Sequence, residues 1–114
     1  MNEGNVIVNL SFQFALASIA YAELLESQKK YVIARPFLKS ATSIGANVSE
    51  AQNAESKADF IHKMKIAAKE CDETIYWLRL CQAADSYPNF GDLLEKAIVI
   101  NKILTKIIST SKIN

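Results

Sequence analysis

With only 3 glycines and 2 prolines in 114 residues, the sequence has too few turn formers for a sandwich or barrel of many short strands. Few, long elements are expected instead. Cysteine is equally scarce: Cys71 and Cys81 are the only 2, and their separation fits neither a metal knuckle nor a redox Cys-x-x-Cys pair, which leaves buried thiols. Charge of one sign is not in excess either. Lys and Arg number 13 against 12 Asp and Glu, so no overall field draws in nucleic acid or an anionic membrane, and such binding would need a local patch. The N-terminus lacks a basic segment followed by a long apolar one, and no unbroken apolar run approaches the ~18 residues of a membrane span. A soluble, cytoplasmic protein without a membrane partner is therefore expected. The length suits one domain, 1–114, with no internal repeat or low-complexity segment.

Apolar residues make up 50% of the chain and recur at helical spacing in four segments, about 5–28, 34–54, 57–84 and 89–111. The first carries two stripes, Val8, Phe12, Ala15, Ile19, Ala22 and Leu10, Phe14, Ala17, Tyr21, Leu24, so it should touch more than one neighbour. Lys29 and Lys30 follow it, suiting the negative end of a helix dipole. Pro36 belongs in the first turn of the second helix, because deeper it would remove a hydrogen bond. Ser56 and Asp59 form a start signal for the third helix. Pro88 breaks the pattern before the fourth. Short links favour an all-α, antiparallel up-and-down four-helix bundle. Leu10, Phe14, Tyr21, Ile66, Trp77, Leu80, Leu94, Ile98 and Ile108 are expected outside the core as second apolar faces, and those predict self-association.

The stretch "SATSIGANVSEA", residues 40–51, is the least bulky of the chain. A mid-helix Gly costs about 1 kcal/mol relative to Ala, so Ser43, Gly45, Ala46 and Asn47 read as positions where another helix packs closely. Chemistry is harder to find. A di-iron bundle needs two Glu-x-x-His motifs, and the single histidine, His62, is preceded at that spacing by Asp59. Glu50, Glu70 and Glu73 could pair as acid and base, but no nucleophile, phosphate loop or second histidine accompanies them. They read as interhelical salt-bridge partners of a Lys or Arg and, with Ile66, Trp77 and Leu80, as a candidate oligomer interface. Lys57, Lys63, Lys65 and Lys69 alternate with acidic residues, while Lys102 and Lys106 sit late in the fourth helix, where its dipole explains them. These six lysines form a nucleic-acid contact only if oligomer symmetry gathers them. No catalytic residue, metal or cofactor is expected.

Ser43-Ile44-Gly45-Ala46-Asn47 with Glu50, then Ser56-Lys57, Asp59-Phe60, Glu70, Glu73, Trp77 and Leu80 resemble the hallmark of the bacterial four-helix-bundle proteins encoded in intervening sequences of large-subunit ribosomal RNA genes. The same pattern is similar to the accessory variability proteins of diversity-generating retroelements. The resemblance implies a homopentameric barrel without enzymatic activity. Retroelement members are implied to bind nucleic acid and a reverse transcriptase through a basic surface, and this chain departs from them in its even charge. The expected function is thus a non-enzymatic, self-associating scaffold, with RNA or DNA, or a nucleic-acid-processing protein, as further partner. Its alternative is an RNA- or DNA-binding accessory protein with a Lys-lined oligomer surface.

Overall fold

Four helices, α1 (Glu3–Ser27), α2 (Tyr31–Ala51), α3 (Lys57–Ala83) and α4 (Leu93–Ile113), account for the architecture. The computed structural model describes residues 3–113, with side chains from residue 6 onward. Residues 1, 2 and 114 of the expected domain lie outside the described residues. Each helix packs on its neighbours in sequence and α1 closes on α4; among the described residues no two helix backbones approach across a diagonal. That cycle is an up-and-down bundle, elongated at 47 × 22 × 20 Å, and the described residues contain no strand.

Helix ends follow local chemistry. At the end of α1, Lys30 N donates to Leu25 O and Lys29 N to Glu26 O, at 2.8 and 2.9 Å, while Lys29 takes φ 62°. This is a Schellman ending with lysine at the left-handed position that glycine occupies most cheaply. Lys29→Gly is expected to stabilise the fold by about 1 kcal/mol, read as a higher urea midpoint with unchanged slope. Lys30 then starts α2 without a side-chain cap, and its Nζ reaches Ser86 Oγ at 3.2 Å and lies 5.4 Å from the Tyr87 ring centre. The α1–α2 turn is thereby tied to the α3–α4 loop. At the other end, Ser56 Oγ accepts from Asp59 N at 3.0 Å, and Asp59 Oδ2 accepts from Glu55 N at 3.2 Å.

Three expectations need correction. First, α2 begins at Tyr31, so Pro36 sits in the second turn. The carbonyl it cannot reach belongs to Val32, which is 84% exposed, so the lost bond falls on the solvent side of the helix. Second, α4 begins only at Leu93, because Gly91 at φ 64°, with its N–H on Asn89 Oδ1, holds the preceding residues in a turn. Third, the two stripes of α1 exchange roles. Phe14 and Tyr21 are buried, in line with Ile7, Ser11, Ser18 and Leu25, while Phe12, Leu16 and Ile19 are exposed. Two serines hid this inner line. Ser11 satisfies its own hydroxyl by donating to Ile7 O at 2.7 Å, so a small polar residue serves where the helices approach closely.

One consequence is that α1 is apolar on both faces. Val6–Ser27 reaches a mean hydropathy of 1.4 and is long enough to cross a membrane by length and composition, although polar residues interrupt every apolar run. In the bundle its inner line is spent on the core.

Candidate functional site

Gly45 answers the question raised by the small-residue stretch. A Cβ placed there would lie 3.2 Å from Ser11 O and 3.4 Å from Ser11 C, so the backbone of α1 passes directly over it. The rest of the stretch does different work. Ser40 is buried, donating to Phe37 O at 3.0 Å, and its oxygen is 2.8 Å from Thr74 Oγ1 on α3. Ser43 and Asn47 are half-buried and bond to their own helix, Ser43 Oγ to Lys39 O and Asn47 Nδ2 to Ser43 O at 2.8 Å. Ala46 and Ser49 are exposed. Of the four positions read as helix packing, Gly45 alone presses on α1; within one subunit nothing requires Ala46 to be small.

What lies above these exposed small residues is a groove of ≈ 250 Å³ between α1 and α2, lined by Val8, Phe12, Ala15, Thr42, Gly45, Ala46 and Ser49. Phe12, Leu16 and Ile19 form its rim, 59%, 49% and 39% exposed. Large apolar side chains thus gather in an exposed ridge on the outer side of α1. The sequence reading missed it, having placed Phe12 and Ile19 in an inner stripe and left Leu16 unassigned.

A second face forms where α2 meets α3. Lys63 Nζ to Glu50 Oε1, 3.1 Å, bridges the two helices and fixes the side of α3 that adjoins α2. From Lys63 the same flank continues through Ile66, Glu70, Glu73, Trp77 and Leu80 at helical spacing. Trp77 Nε1 donates to Glu73 Oε2 at 3.1 Å, and Trp77 meets Tyr76 edge-on at 5.6 Å. Glu70 is half-buried. The structure thus brings Glu50, Ile66, Glu70, Glu73, Trp77 and Leu80 onto one side of the molecule, with Ser43 and Asn47 beside them.

Comparison with known proteins shows the family. A family model described as 23S rRNA-intervening sequence protein matches residues 3–106. The chain belongs to this family. It is also similar to a crystal structure from Bacteroides thetaiotaomicron VPI-5482, described as a protein with unknown function from the S23 ribosomal protein family. The two share 39% identity and a TM-score of 0.87 over 95% of this chain and 99% of that one. No curated protein matches the chain.

The remaining candidates are dispersed. Lys63 is engaged by Glu50, Lys65 and Lys69 lie on the outer face of α3, Lys57 at its start, and Lys102 and Lys106 on α4. No single track of phosphate contacts results on one subunit. Among the described residues no three His, Cys, Asp or Glu side chains converge as metal ligands, and His62 is exposed.

Both cysteines are buried and free. Cys71 Sγ donates to Ala97 O at 3.2 Å, and burial pushes its pKa up from 9.0 to about 12. Burial also raises Cys81 and, with a contribution from Cys81, Tyr21. These are groups neutral when protonated. Below the unfolded pKa both states hold the proton and stability is complete; above it the unfolded chain releases a proton the folded chain retains, so stability falls with rising pH. The urea midpoint is expected to drop from about pH 9 upward, and Cys71→Ala to flatten that drop.

Proposed function

We propose that the protein is a non-enzymatic scaffold that works as a closed homo-oligomeric ring of five copies in the cytoplasm, presenting its assembled surface to a nucleic acid or a nucleic-acid-processing protein. The observation that carries this reading is the pair of dissimilar outer faces, the Phe12–Leu16–Ile19 ridge on the α1–α2 side and the Ile66–Trp77–Leu80 strip on the α2–α3 side. A twofold dimer uses one face twice, whereas a ring needs two different faces that fit each other. The wider kinship with retroelement accessory proteins rests on the same α2 and α3 residues, Ser43 to Asn47 and Glu70 to Leu80. Light scattering after size exclusion tests the reading: a mass of five subunits is expected, and a monomer at micromolar concentration overturns it.

A further inference from the structure

Links between the two hairpins, α1–α2 and α3–α4, are unevenly placed. Along the α2–α3 seam Lys63 Nζ reaches Glu50 Oε1 at 3.1 Å, Ser40 Oγ and Thr74 Oγ1 stand 2.8 Å apart in the interior, and residues 52–56 join the helices covalently. The opposite seam is bare. Lys106 aside, no hydrogen bond, ion pair or ring contact joins the described residues of α1 to those of α4, and theirs is the loosest of the four seams. A hollow of ≈ 270 Å³ enters it, with Phe14 and Ile100 among its lining residues.

What holds that side shut lies at one end of the bundle. The Tyr21 hydroxyl donates to Pro88 O at 2.8 Å, and its ring meets Phe90 edge-on at 6.1 Å. Beside it, Lys30 Nζ reaches Ser86 Oγ at 3.2 Å and lies 5.4 Å from the Tyr87 ring centre. All four contacts end in the loop before α4, and none touches α4 itself. The ties of α4 run instead to α3, from Cys71 Sγ to Ala97 O and from Asn101 Nδ2 to Asp72 Oδ1 at 2.8 Å. Those of α1 run to α2, through Gly45 on Ser11 and Tyr21 on Phe37. Each hairpin is thus bound within itself.

We propose that the two hairpins part along α1–α4, hinging on α2–α3, and that Tyr21 and Lys30 form the clasp that keeps them closed. Parting leaves every helix and both intra-hairpin seams intact, so it costs less than unfolding. One buried group favours it. Ser18 Oγ, on the inner line of α1, is enclosed without a hydrogen-bond partner among the described residues, and water satisfies it once the seam opens. The open form uncovers Phe14 and Ile100, 1% and 2% exposed in the closed one, so the clasp controls access to the apolar interior. The device belongs to a single subunit and does not rest on the ring proposed above.

Thiol labelling tests it. Ile100→Cys places a reporter on the α4 side of the seam, read by peptide mass apart from Cys71 and Cys81; Leu104→Cys, 0% exposed on the same inner line, takes its place where that variant does not fold. With a reagent slower than reclosing, the labelling rate reports the open fraction. The rate is expected to rise with urea much less steeply than global unfolding does, because a parted seam exposes only part of the buried surface. Tyr21→Phe is expected to raise it about 5-fold, the equivalent of one hydrogen bond, and Lys30→Ala to raise it as well. Thr74→Ala, on the hinge side, is expected to lower the urea midpoint of unfolding while leaving the seam rate unchanged. Labelling that follows the full urea slope of unfolding overturns the opening, as does a Thr74→Ala rate raised as much as that of Tyr21→Phe. A rate unmoved by both Tyr21→Phe and Lys30→Ala overturns the clasp.

Discussion

Gly45→Leu is expected to destabilise the fold by about 3 kcal/mol, at the upper end of overpacking costs. The added bulk would meet the carbonyl oxygen and carbon of Ser11, already 3.2 and 3.4 Å from a bare Cβ. These are atoms of a helix backbone, which cannot swing aside as a side-chain tip does. Leucine recovers nearly 1 kcal/mol of helix propensity, and the expected loss is what remains after that gain. Gly45→Ala isolates the first carbon, where propensity and crowding nearly offset each other, so it should fall well short of Gly45→Leu. For a domain of this size the leucine variant should melt roughly 10 °C or more below wild type. A melting temperature near wild type would show that α1 can move off α2 freely.

Tyr21→Ala should cost about 4 kcal/mol, in the range for emptying a large aromatic site. Tyr21 is 5% exposed and meets two rings edge-on, Phe37 at 5.7 Å and Phe90 at 6.1 Å. Its hydroxyl donates to Pro88 O at 2.8 Å. One side chain of α1 therefore anchors α2 and the loop before α4 at the same end of the bundle. Tyr21→Phe retains the ring contacts and removes only the bond to Pro88, so about 1 kcal/mol is expected. Chemical denaturation of both variants separates the ring contribution from the hydroxyl contribution; equal losses would mean that the hydroxyl, and not the aromatic cluster, carries the anchoring.

Periodicity alone was sufficient to read four helices and their cyclic packing, because long apolar stripes with few turn formers admit little else. The small-residue stretch likewise announced a close approach, and Gly45 on Ser11 is that approach. The inner line of α1 was not legible. Ser11 and Ser18 look polar in the sequence, yet both are buried, and at Ser11 it is the proximity of Gly45 on α2 that makes a small side chain preferable to a large one. That same substitution of roles concealed Phe12, Leu16 and Ile19 as an outer ridge. On α3 the strip from Ile66 to Leu80 was legible because glutamates interrupt an otherwise apolar flank, a pattern that a core face does not tolerate unpaired. The left-handed Lys29 left no signal, since glycine is the residue that ordinarily marks such an ending.

The order in which the seams lie along the chain matters while the protein is being made. Three of them join helices that follow one another and can zip as each leaves the ribosome, but the seam between α1 and α4 waits for the last residues of the polypeptide. Until then the leading helix, greasy on two sides, travels with one flank uncovered.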